Sequence, residues 1–565
     1  MTGMSKADEV AREYLRQNAV LDPISASGRG LIGYDGELTD YSPAGEEARA
    51  ELARATLAQV EDLRPEGDRD RVAVAVMRDR LQVEVDLYQS GDWMRALRDF
   101  GPMIATSRVF DLMGRRDDAD WERIAERMEK VGDCLEGIRS TLELGVSRNL
   151  VSARHQVEIS AGRARKWAGS DRNQGFFRGL AGEYPGTSGQ LQGRLSRAAG
   201  KADRAYLEFA DYLDESYAGH ARAEDGCGAE LYQLNCRVFN GIEIDLEETY
   251  RWGWEELGRI EREMAETAER IAPGRALDEV IRILDEDPAR AIQGEANFHA
   301  WNQAFLDQTI ADLNGVHFDI PEPVQRVEAM IAPPGGSPAM YYTPPAEDFS
   351  RPGRTWYPTL GRDHFPLWTE ISTAYHEGVP GHHLQLGHVC WLGQRLNPFQ
   401  GLLGLMSGHA EGWALYAERL MGELGYLENP DHYLGMLANQ AFRAARVVLD
   451  IGLHLQLAIP DDQAFHPGEV WSRQLAVEFL VLKSGRPEDF CKGEVARYLG
   501  MPGQAISYKL GERVWLEVRD EARRSWGADF SLKAFHRQAL DLGAVGLQQL
   551  REQMLEPRPG PLPAD

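Results

Sequence analysis

The stretch from Ala374 to His383 reads AYHEGVPGHH and holds three imidazoles and a carboxylate within eight residues. Downstream comes Gly408-His409-Ala410-Glu411-Gly412-Trp413. These donor types suit a catalytic zinc, which takes about three protein ligands and keeps one position for water. The metal lowers the pKa of that water to about 7. A glutamate beside the first histidine is the usual general base for such water. His376 is therefore the expected first ligand and Glu377 the expected base.

The second ligand is less simple. In a regular helix His376 and His382 are separated by roughly 9 Å and about 240°, so they could not share an ion. His376 and His383 would face one way but stand roughly 10.5 Å apart. The residues between offer a solution, because Pro380 lacks an amide hydrogen and breaks a helix, while Gly378 and Gly381 admit unusual backbone angles. The spacing predicts a helix with a local bulge over 378–381, a feature common at functional sites. His382 is then the preferred second ligand, with His383 as the alternative or as a substrate-facing group.

A carboxylate from a second helix completes such a set. Apolar residues recur at helical spacing from Leu402 to Leu424, with Glu411 in the middle, so Glu411 is the expected third ligand and Glu418 and His409 the fallbacks. Gly412 leaves room for another helix or a substrate. Arg446, Asp450 and His454 recur every four residues and line one helix face. Tyr508 and Lys509 follow Pro502-Gly503 and open another helix. Tyr508, or else His454, is the candidate donor to the oxyanion of an amide under attack, a role worth about 10²–10³ in rate. Arg446 and Lys509 are candidate anchors for a substrate carboxylate. The run Pro333–Tyr342, rich in Gly and Pro, predicts a flap or edge strand in which Tyr341 and Tyr342 contact an extended substrate.

Four segments, HEGVPGHHLQ (376–385), EGWALYAE (411–418), RVVLDIGLH (446–454) and PGQAISYKLG (502–511), resemble the bacterial family catalogued as domain of unknown function number 885. A weaker match is GLIGYDGELTDYSP (30–43), where Ile32 stands in the family's His place. The family is related in pattern to zinc peptidases of the oligopeptidase type. The resemblance implies a mainly α, two-lobed, metallopeptidase-like fold that binds one zinc ion and hydrolyses a peptide or amide bond. The resemblance names no substrate; a cleft between lobes and the candidate anchors Arg446 and Lys509 would favour a short peptide or a small carboxylate-bearing molecule. Two other readings use the same donors: a non-haem iron oxygenase with a two-histidine, one-carboxylate set, and a helical scaffold with a structural metal.

The elements that must position these groups are long amphipathic helices, expected over 47–64, 69–88, 119–148, 190–219, 245–271 and 428–458. A small β segment is expected around 316–360. No linker interrupts the 565 residues, so residues 1–310 are read as a helical wall or lid and 311–565 as the metal-binding lobe, in one integrated unit. The net charge of −27 argues against nucleic acid and against anionic membranes. Five scattered cysteines, and a start without an apolar run, lead to the expectation of a cytoplasmic protein without a leader. No stretch is long and apolar enough to span a bilayer. Oligomeric state leaves no mark in the sequence.

Overall fold

The structure is a computed structural model, and it describes residues 4–98, 101–169, 174–333 and 339–556. It is mainly α, as the helical periodicity requires. The expected helical stretches fold as Pro43–Glu61, Asp68–Ser90, Asp118–Glu129 with Val131–Ser147, Gly189–Tyr212, Leu246–Ile271 and Pro430–Leu455. The chain groups into two compact units whose limits differ from a boundary near 310. One comprises residues 1–65, 77–234 and 493–501, the other 66–76, 235–492 and 502–565.

The first unit is built around helix Gly189–Tyr212. Ser188 caps it by accepting from the Leu191 amide at 3.3 Å, which satisfies one of the donors that every helix start leaves open. Leu191, Leu195, Ala198, Ala202, Tyr206 and Phe209 recur at three- and four-residue intervals and are all buried. This stripe packs on helices Asp118–Glu129, Val131–Ser147, Arg154–Ala168 and Phe176–Gly182. Trp121, Phe110, Phe177 and Tyr217 fill the same core.

The second unit carries the chemistry-bearing segments. Helix Leu246–Ile271 lies along helix Pro430–Leu455, and helix Ser407–Glu423 lies along helix Ser507–Trp526. Helix Leu367–Glu377 packs on both Pro430–Leu455 and Ser407–Glu423. The predicted β segment is a three-stranded sheet with Gly353–Tyr357 in the middle, parallel to Val327–Ile331 and antiparallel to Tyr341–Thr343. A separate antiparallel pair joins Ala291–Gln293 to His364–Pro366. Residues 334–338 of the Gly/Pro-rich run lie outside the described residues.

Gly412 is where two of these helices touch backbone to backbone. A Cβ placed there would come within 2.4 Å of the Gly511 Cα on helix Ser507–Trp526. Neither side can yield, because both contacting groups are main chain. Gly412→Ala should therefore destabilise the fold by about 1–3 kcal/mol, the usual cost of overpacking. Thermal and urea unfolding followed by circular dichroism measure it, and an unchanged midpoint would show that the helices can separate freely.

Candidate metal centre

The motif does not form one bulged helix. Helix Leu367–Glu377 stops, four residues turn, and a second helix, His382–Leu392, begins. Pro380 has no amide to donate, and its peptide bond to Val379 is cis. The turn is tied by its remaining amides: Gly381 donates to the Tyr375 carbonyl at 3.0 Å and His383 to the Gly378 carbonyl at 3.0 Å. Only glycine fits at 381, since a Cβ would lie 2.0 Å from the His376 carbonyl oxygen. The Trp413 indole donates to the carbonyls of Pro380 (2.8 Å) and Gly381 (3.2 Å). The helix carrying Glu411 thus clasps the break from the other side.

The consequence is convergence. One Nε2 or Oε2 atom each of His376, His382 and Glu411 come together, all within 4.8 Å of one another. Glu411 Oε2 stands 3.3 Å from His376 Nε2 and 3.4 Å from His382 Nε2. The two imidazole rings are 4.8 Å apart and nearly perpendicular. A tetrahedron with arms of about 2.05 Å, the length of zinc–nitrogen and zinc–oxygen bonds, has edges of about 3.3–3.4 Å. The donor types, and both edges that meet at Glu411, fit an ion held among these three atoms.

Behind His376 lies a carboxylate. His376 Nδ1 donates to Glu418 Oε1 at 2.8 Å, and Ser372 Oγ donates to the other Glu418 oxygen. Glu418 is fully buried, so it fixes both the tautomer and the ring orientation of His376 rather than joining the converging atoms. Metal-ligating histidines are commonly backed in this way. His382 has no equivalent support: its Nδ1 is without a hydrogen-bond partner among the described residues.

The charges respond to this crowding. Burial favours neutral His376, but hydrogen bonds to Glu411 and Glu418 outweigh it and raise its pKa to about 9. Burial likewise works against a charged Glu411, yet the His382 charge and the bonds from both histidines hold it well below the usual carboxylate range. Glu377 is pushed up by burial, with His382 and His376 opposing.

The other expected residues go to different places. His383 is fully buried and points away from the cluster. Its Nε2 lies 2.7 Å from the Val324 carbonyl, which can only accept, so that nitrogen carries the proton. Its Nδ1 then accepts from the Tyr342 hydroxyl at 2.9 Å. Burial lowers its pKa to about 4. His383 and Tyr342 are thus occupied in locking the second motif helix to the sheet, and Tyr341 stacks on Trp356 at 5.7 Å. His409 stacks on Trp515 and meets the Gln385 amide.

Tyr508 is brought in. Its ring stacks on His376 at 6.4 Å, inclined by 18°, and the Arg446 guanidinium sits 4.7 Å from the Tyr508 ring. His454 is not brought in: it pairs with Asp450 at 3.7 Å, and Asp450 in turn accepts from the Gly503 amide. Lys509 is buried against Glu256 (2.8 Å), Gln440 (2.8 Å) and Glu512. Its ammonium binds three helices together and faces no substrate. What the motif reading missed is Glu418 as the support of His376, Trp413 as the clasp of the break, and Arg443, which lies beside the Tyr508 ring at 5.6 Å. Helical spacing offered a signal for the first, since Glu418 lies seven residues from Glu411 on one face.

The chain belongs to the family described as "Bacterial protein of unknown function (DUF885)", whose profile matches residues 23–554. No curated protein matches it in sequence. Two solved structures are similar along nearly their whole length. One is "the putative lipoprotein from Colwellia psychrerythraea", with a TM-score of 0.82 and 23% identity, covering 97% of this chain and 99% of that one. The other is "a putative lipoprotein of unknown function from Shewanella oneidensis", with a TM-score of 0.76 and 17% identity, covering 98% and 100%. At these identities the likeness establishes the fold. The names also overturn the expected cytoplasmic location, because the same fold is named there as that of lipoproteins. Five scattered cysteines do not by themselves require a reducing compartment. Among the described residues no helix is long and apolar enough to cross a membrane.

Replacing Glu418 by Gln should lower metal affinity by about 10–100-fold, the usual cost of losing a carboxylate behind a ligating imidazole. His383→Asn should leave metal affinity within about threefold, since that ring faces Val324 and Tyr342. Competition of each variant with a fluorescent zinc chelator reads both. Equal losses in the two variants would contradict the arrangement described.

Proposed function

We propose that this protein is a metal-dependent hydrolase acting on a peptide or amide bond of a short peptide or small amide, with one zinc ion held by His376, His382 and Glu411. The observation that carries the reading is the convergence of these three donors to within 4.8 Å of one another, with a buried glutamate next in sequence to the first of them. When bound, zinc supplies a Lewis acid that polarises a carbonyl and acidifies water.

The chain's own groups do the rest. Glu377 is buried and holds its proton more firmly than a free carboxylate, which suits a base that takes a proton from water and returns it to the leaving amine. Glu418 keeps His376 Nδ1 protonated and its Nε2 directed at the cluster. Tyr508, stacked on His376, is the candidate hydroxyl donor to the carbonyl oxygen as that atom gains negative charge. The presence of Glu377 favours hydrolysis over oxygen chemistry with the same donors, because an oxygenase has no need of a base at that position.

Glu377→Gln separates binding from turnover. Elemental analysis should find zinc stoichiometry unchanged, while hydrolysis of a panel of N-acyl dipeptides falls by about 10²–10⁴. Dialysis against a chelator should abolish wild-type turnover and added zinc restore it. Near-normal rates in the Gln variant would reject Glu377 as the base.

A further inference from the structure

Several of the more buried cations in the second unit are matched to carboxylates. Lys509 meets Glu256 and Glu512, Arg519 meets Glu423, Arg259 meets Glu256 and Glu263, and Arg419 reaches Glu263 and Glu512. In a chain of net charge −27 such partners are abundant. Arg443 is different. It sits on helix Pro430–Leu455, half-buried, and its one hydrogen bond is from Nη1 to the carbonyl of Asn439, one turn back on its own helix, at 3.3 Å. Its Nε is buried and has no partner, and among the described residues it makes no ion pair.

The place of this guanidinium matters. It lies 5.6 Å from the centre of the Tyr508 ring, and that ring stacks on the imidazole of His376. Its charge also acts on the Glu377 carboxyl. Asn439, one turn away, reaches Thr373 on helix Leu367–Glu377, so the arginine is held at the flank of the converging donors. Leaving the buried Nε donor without a partner is costly. A group that persists in that state beside a cluster of metal-ligating type is suited to a counter-charge that arrives with a ligand. A guanidinium presents paired N–H donors in a planar fork that matches a carboxylate.

We infer that Arg443 is the anchor for a free carboxylate of the substrate, so that the chain prefers short peptides or amides with an acidic group close to the bond that is cut. The inference rests on the hydrolase reading for its geometry of cleavage, but not for binding. Arg446, also beside Tyr508, packs on the rings of Phe442 and Tyr508 and keeps the tyrosine in place. Arg443 is a binding residue, and the reacting atoms are handled elsewhere.

The test is calorimetric titration of the zinc-loaded full chain with N-acetyl-Ala-Ala and with its C-terminal amide. Wild type should bind the acid at least about tenfold more tightly than the amide, the scale of one charge-assisted contact. Arg443→Gln should erase that preference, and Arg443→Lys should keep part of it. Equal affinities in wild type, or no binding of the acid up to millimolar concentration, would overturn the inference. So would an acid preference that survives in Arg443→Gln, since a carboxylate held by the metal alone would behave in that way. The wild-type comparison stands even if a variant folds poorly. An acid preference without any hydrolysis would sink the hydrolase reading and leave the anchor intact.

Discussion

The second unit depends on one backbone event, the break between Glu377 and His382. Two imidazoles six residues apart cannot meet on a continuous helix, so the chain gives up helical hydrogen bonds over four residues to turn the second ring back. What it loses in regular structure it recovers from the Gly381 and His383 amides, which find carbonyl acceptors within the turn, and from the Trp413 indole, which donates to two carbonyls freed by the break. Buried backbone groups must find partners, and here they do so without a helix.

Around that break the helices approach one another to unusual closeness. Gly412 against Gly511 lets the helix carrying Glu411 lie on the helix carrying Tyr508, and this brings a carboxylate and an aromatic ring to the same imidazole. Glu418, on the same helix as Glu411, then reaches the far nitrogen of His376. A single helix thus supplies both the group facing the converging atoms and the group behind one of them. The two carboxylates have the same chemistry and opposite positions, set by two helical turns.

Charge is distributed with the same economy. Lys509, flagged by the sequence as a ligand anchor, is consumed by Glu256 and Glu512, whereas Arg443, which nothing in the sequence marked, hydrogen-bonds only a main-chain carbonyl and makes no ion pair among the described residues. The difference lies in their neighbours. Lys509 meets the acidic helix Leu246–Ile271 directly, while Arg443 lies beside the Tyr508 ring and reaches the Glu377 carboxyl only through its charge, without an ion pair.

Sequence by itself determined the donors, their order and the need for an interruption, because residue type, helical pitch and the chemistry of proline and glycine are local properties. His376, Glu377 and Glu411 were legible as candidates for that reason, and the mainly α class was legible as well. Tertiary structure alone decided between the two adjacent histidines. His383 was claimed by the Val324 carbonyl and the Tyr342 hydroxyl, partners 59 and 41 positions away along the chain, and His382 was left facing Glu411. The same holds for Glu418, His454 and Lys509: each could have served at the centre by its type, and each was assigned by a contact with a distant segment or by the direction its helix turns it. Local rules fix what a side chain can do; only packing fixes what it meets.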